Sequence, residues 1–167
     1  SALRAAYDIV LSIATRDDAH VTQPFEAWDA REYLAHLGIT DELFIETTRS
    51  VLEDRPASYD NARASFKPSV AARAEAPWED LVDAIRSSSQ ELCALADQLD
   101  ADHSNRLVHV RVIDGLKVTV DQPLPWGQAL MIQATVHLRG HADDLTKLAA
   151  LQMADIGSGQ TPAKQLR

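Results

Sequence analysis

The sequence predicts an all-α protein: a four-helix bundle with a long crossover between helices two and three and a small β-hairpin between helices three and four. Three observations carry this prediction. Apolar residues recur at helical spacing over four long stretches. Residues 53–76 hold Pro56, Asn61 and Pro68 with weak periodicity, too long for a tight turn between antiparallel helices and suited to a crossover along a bundle. Ahead of the fourth stretch the apolar period drops to two, the mark of paired strands.

The elements follow in order. From Leu3 to Thr15 the residues Leu3, Ala6, Ile9, Val10 and Ile13 share a helical face, and Asp17, Asp18 and Pro24 end this first helix. The linker carries two of the few aromatics, Phe25 and Trp28. Asp29 with Glu32 three residues on is an acidic variant of the capping box, so helix two starts there and runs to about Leu52. Tyr33, His36, Leu37, Thr40, Leu43, Phe44, Thr47 and Val51 lie on its inward side. Gly38 is an internal irregularity that costs about 1 kcal/mol. Pro77 suits the first turn of helix three, whose apolar side runs from Trp78 through Leu81, Val82, Ile85 and Leu92 to Leu99. Cys93 falls within that set and reads as a core thiol.

Val108, Val110 and Val112, then Leu116, Val118 and Val120, alternate with polar residues. For both sets to share a face, the hairpin needs a three-residue loop, Ile113-Asp114-Gly115, with Gly115 in the left-handed position. Pro125 opens helix four, which runs to about Met153. The division expected is one domain over 1–156 and a flexible C-terminal tail over 157–167, where two Gly, Ser, Gln, Thr and Pro cluster.

Composition narrows the function classes. A chain of 167 residues, 46% hydrophobic and 25% charged, fits one globular domain with a proper core. A net charge of −9 with no basic stretch argues against nucleic acid as a partner. No apolar run reaches the roughly 20 residues that span a bilayer, and the N-terminus lacks the basic-then-apolar order of a signal peptide. With a single cysteine there is no internal disulfide, which fits a cytoplasmic location.

The informative stretch is Thr135–Leu145. Read as helix, it puts His137 and His141 four apart on one face, in the stripe Leu130, Ala134, His137, His141, Leu145, Leu148. Two imidazoles inside an apolar stripe need partners. A shared metal ion is one, and His36, on the inward side of helix two, is the candidate third ligand, because bundle cores assemble metal sites from facing helices. Three neutral imidazoles with an open position are a ligand set for catalytic zinc, although imidazole also suits nickel, iron and copper. No Glu-x-x-His motif appears, so the expected site is mononuclear. Gln133 and Asp144 are placed to orient the rings. His20, His103 and His109 sit among polar residues and read as solvated.

The run Trp28-Asp29-Ala30-Arg31-Glu32-Tyr33-Leu34-Ala35-His36-Leu37 resembles the start of helix two in the DinB-like superfamily, and His137-Leu138-Arg139-Gly140-His141 resembles its second motif, on helix four. The ordered pair of motifs spans most of the chain. The resemblance implies an up-down-down-up four-helix bundle with one divalent metal, zinc or nickel, held at one end by His36, His137 and His141. It also implies a small-molecule substrate, a low-molecular-weight thiol such as mycothiol or bacillithiol as co-substrate, and a homodimer. The maleylpyruvate isomerase branch looks to have a carboxylate at the position of His137, so the three histidines look more like the S-transferase and uncharacterised members of the superfamily. The expected activity is therefore transfer of a thiol to an electrophile. Two other readings remain. One is metal-dependent hydrolysis with Glu32 as the candidate base, and the other is a non-enzymatic, metal-stabilised binding or stress-related protein.

Overall fold

A computed structural model describes residues 1–20 and 28–158, the segment 152–158 as backbone only. The described residues are mostly helical with one three-stranded sheet. Helix α1 (Ala2–Ala14) starts where the Ser1 Oγ accepts from the Arg4 N–H, and it buries Leu3, Ala6, Tyr7, Val10 and Ala14. Phe25 and Pro24 of the expected linker lie outside the described residues. Helix α2 (Ala30–Leu52) opens with the expected capping box: Asp29 Oδ1 accepts from the Glu32 N–H at 2.9 Å, and Glu32 Oε2 accepts from the Asp29 N–H at 3.0 Å. Two of the four orphan donors at the helix start are satisfied in this way.

The crossover is more structured than its weak periodicity suggests. It contains strand β1 (Ser58–Asp60), then two short helices, α3 (Ala62–Ser65) and α4 (Lys67–Ala74). Helix α5 (Trp78–Ala96) follows with Pro77 as its cap residue, and a short α6 (Ala101–Asn105) leads into the strands. Helix α2 touches α3, α4, α5 and β1, which explains why it is buried on nearly every side. Leu34, Leu37, Ile85, Leu92, Leu138, Leu145 and Leu148 are fully buried in the shared core. Each contributes about 1.5–3 kcal/mol relative to exposure.

Strands β2 (Leu107–Asp114) and β3 (Lys117–Pro125) form the expected hairpin, but β1 pairs parallel to β2 on its other edge, so the sheet has the order β1-β2-β3. The loop also differs from the expected Ile113-Asp114-Gly115. Asp114 pairs with Lys117, leaving Gly115 and Leu116 as a two-residue turn. Gly115 has φ +60 while Leu116 has no positive φ, the pattern of a type II′ turn. Val118 faces Ile113 and Val120 faces Val112, so Thr119 is an extra residue, a β-bulge. Val120 therefore shares the face of Val108, Val110 and Val112, while Leu116 and Val118 are turned out and exposed. Alternation says which residues of one strand share a face; turn and bulge set how two strands register.

Expected helix four is also interrupted. Helix α7 (Trp126–Ile132), capped by Pro125, leads into a π-helical turn (Gln133–His137) and then α8 (Leu138–Ser158). It extends five residues beyond the expected Met153. Residues 159–167 of the expected tail lie outside the described residues. Near the middle of α2, Asp41 is fully buried between α1 and α5. The Tyr7 hydroxyl donates to its Oδ1, and the Ser88 Oγ donates to its Oδ2 at 2.6 Å. Burial pushes the Asp41 carboxyl up to about 7, although both hydroxyl donors favour the ionised form.

Candidate metal centre

Three helical segments far apart in sequence bring three imidazoles together. His36 sits about two turns into α2, His137 closes the π-helical turn, and His141 lies in the first turn of α8. The Nε2 atoms of His36 and His137 are 2.9 Å apart, and those of His137 and His141 are 3.1 Å apart. One ring nitrogen from each of the three residues lies within 4.8 Å of the others. His137 is the hub. The sequence stripe thus holds across the π-helical turn, with Leu130, Ala134, Leu145 and Leu148 buried on either side of the two histidines.

The outer nitrogens are held differently. His36 Nδ1 lies 2.8 Å from the carbonyl oxygen of Ala64 in α3. A carbonyl only accepts, so Nδ1 carries the proton and Nε2 presents a bare lone pair to its neighbours. His141 Nδ1 is 3.4 Å from Asp144 Oδ2, a contact without hydrogen-bond geometry. His137 Nδ1 is buried with no hydrogen-bond partner among the described residues, so Gln133 does not orient it. Burial drives the His36 imidazole down to about 3, aided by His141 and opposed by the Ala64 bond. Burial also pulls His137 well below and His141 below the ordinary value, with Asp144 opposing the shift at His141. All three rings are therefore neutral at neutral pH. Three ring nitrogens converge, and the one on His36 presents its lone pair to the other two rings.

Aromatic rings enclose it. The Trp28 ring centroid is 4.6 Å from that of His36, and Tyr33 is 5.3 Å from His141. Above the histidines opens a cavity of about 920 Å³. Trp28 and Tyr33 form one wall; the hairpin segment Val112–Leu116 and the start of α4, with Phe66 and Lys67, form the other. Asn61 clasps the two parts of that second wall. Its Oδ1 accepts from the Ile113 N–H at 2.6 Å, and its Nδ2 donates to the Ile113 carbonyl and to Ser65 Oγ, each at 3.0 Å. Ser65 Oγ donates to the same carbonyl at 2.8 Å. The clasp fixes the short helix that presents the Ala64 carbonyl to His36.

The remaining candidates stand elsewhere. Glu32 is held in the capping box and does not line the cavity; the carboxylates that do are Asp114 and Asp144. His20 stacks on Trp78, His103 lies beside Asp100, and His109 pairs across the hairpin with Asp121 at 2.6 Å. Cys93 is a buried thiol raised by burial, as expected of a core residue. The Ala64 carbonyl, Asn61, Phe66 and Lys67 escaped the sequence reading. Asn61 and Pro68 marked the segment only as a crossover.

Fold and site together define a mostly helical protein with a three-histidine cluster beneath an open cavity. The chain belongs to the DinB superfamily, whose family pattern matches residues 1–153. No curated protein matches it. Among solved structures, the crystal structure of the mycothiol-dependent maleylpyruvate isomerase superposes with a TM-score of 0.71 at 13% identity, over 86% of this chain and 57% of that one. At that identity the likeness is one of fold. The chain spans little more than half the length of that isomerase. Among the described residues, no helix is long and apolar enough to cross a membrane.

Proposed function

We propose that His36, His137 and His141 hold one divalent metal ion, zinc or nickel, and that the cavity above them transfers a low-molecular-weight thiol to an electrophilic small molecule. The observation that carries this reading is the convergence of three ring nitrogens, with His137 Nε2 2.9 Å from that of His36 and 3.1 Å from that of His141. Two ligands of one ion at bonds of about 2.0–2.1 Å are separated by this much when they subtend about 90–100°. The His36 Nε2 lone pair, fixed by the Nδ1 bond to the Ala64 carbonyl, is available to such an ion. The residues therefore fit the group.

Bound there, such an ion supplies a Lewis acid that favours the thiolate form of a thiol. This chain's own residues do the rest. The Ala64 carbonyl fixes the His36 tautomer, and Asp144 lies beside His141. Trp28 and Tyr33 restrict water on one side. The open cavity favours an enzyme over a closed structural site. Among the described residues, the candidate ligand group contains these three side chains and no fourth. The name of the isomerase with the similar fold, mycothiol-dependent, also supports thiol chemistry. In the same reading α1, α2, α5 and the α7–α8 helix form the up-down-down-up bundle of one domain over 1–156.

The test is thiol binding to cobalt-loaded protein. Adding 2-mercaptoethanol is expected to produce a thiolate-to-cobalt absorption band in the near ultraviolet. The protein should then accelerate consumption of the thiol by monobromobimane. A cobalt-loaded protein whose spectrum ignores thiols would end the thiol reading.

A further inference from the structure

The cavity mouth carries a charge pattern that the histidine cluster does not explain. Three formal charges other than histidine line it: Lys67, Asp114 and Asp144. One of the two carboxylates has a cationic neighbour. Asp144 has the Lys147 ammonium at 3.5 Å. Asp114 lies opposite Lys117 in the strand register, with no ion pair between them among the described residues. Lys67 has no ion-pair or hydrogen-bond partner among the described residues, and the neighbouring Arg63 and Arg73 are both engaged by Glu42, at 2.9 and 2.8 Å. Beside Lys67 the rim is apolar. Phe66 is exposed and Leu116 wholly so, although each is a large side chain that burial would favour. Val112 and Ile113 continue that surface toward the floor.

We propose that this cavity receives an organic molecule with an apolar body and one anionic group, the body against Phe66, Ile113 and Leu116 and the anion at Lys67. The proposal rests on reading the cavity as the substrate pocket above the metal. It narrows the substrate class of that pocket to apolar carboxylates and their sulfonate analogues. The chain's net charge of −9 opposes the approach of such molecules. Lys67 therefore confers selection at the mouth, and an ammonium-bearing molecule is disfavoured there. A lysine binds an anion as a point charge and tolerates both carboxylate and sulfonate.

The experiment uses two fluorescent probes that differ by one anion, 8-anilinonaphthalene-1-sulfonate and the neutral N-phenyl-1-naphthylamine, titrated into metal-free protein. Because no metal is involved, the outcome is independent of whether the histidines bind an ion. Lys67→Ala is expected to weaken the sulfonate probe about fivefold, the scale of one exposed ion pair, and to leave the neutral probe unchanged. Lys67→Arg should restore the sulfonate affinity. Arg86→Ala, which removes a cation from a separate cavity lined by Trp78 and Val82, should change neither probe. The proposal is overturned if Lys67→Ala leaves the sulfonate affinity unchanged or weakens both probes equally. It is also overturned if Arg86→Ala is the substitution that weakens the sulfonate.

Discussion

His137→Ala is expected to abolish stoichiometric metal binding and, with it, the stability that metal adds. His137 is the residue to choose because its Nε2 lies 2.9 Å from one partner and 3.1 Å from the other. Removing it leaves His36 and His141, two ligands with no shared neighbour. Metal bound only to the folded state stabilises it by about 2.7 kcal/mol at a free concentration one-hundredfold above Kd. In a chain of this size that corresponds to roughly 5–10 °C in Tm. Zinc should therefore raise the melting temperature of the wild-type protein, a chelator should lower it, and the variant should respond to neither. The metal-free variant should melt close to the metal-free wild type, since the lost ring had an unpartnered, buried Nδ1. A variant that keeps the zinc-dependent shift would remove His137 from the site.

The second large effect concerns Asp41 and pH. Its carboxyl sits near 3.8 in an unfolded chain and is pushed up to about 7 by burial in the folded one. The folded state thus holds the proton more tightly. Stability from this group is fully present below pH 4 and is lost as pH rises through about 7. A difference of this size corresponds to about 4 kcal/mol over the full range. Asp41→Asn removes the titration while keeping a side chain that still accepts from Ser88. In urea denaturation with chelator present, the variant should match the wild type near pH 4 and exceed its stability by a few kcal/mol at pH 8. The comparison between the two proteins cancels the other titrating groups. A stability difference that does not grow with pH would show that the Tyr7 and Ser88 hydroxyls keep the carboxylate ionised in the core.

The long helices were legible because each has a wide apolar stripe, and α2 also announces its start through Asp29 and Glu32. The histidine cluster was legible for a related reason. Polar rings at stripe positions on separate helices must be satisfied in the interior, and the interior is where those helices meet. What escaped the reading depends on partners distant in sequence or on backbone atoms. Strand β1 is three residues long and owes its existence to pairing with His109–Arg111 some fifty residues on; three residues carry no period. The bulge at Thr119 follows from a two-residue turn that a three-residue reading displaces. The π-helical turn leaves the stripe Leu130, Ala134, His137, His141 intact, so the pattern gives no sign of it. The group that fixes the His36 tautomer is the Ala64 carbonyl, and a carbonyl has no letter in the sequence.

Metal content, measured by inductively coupled plasma mass spectrometry on protein purified without an immobilised-metal column, tests the central claim most directly. Roughly one zinc or nickel ion per chain is expected, retained through dialysis. Protein that carries no stoichiometric metal, and takes none up when zinc or nickel is supplied, would contradict it.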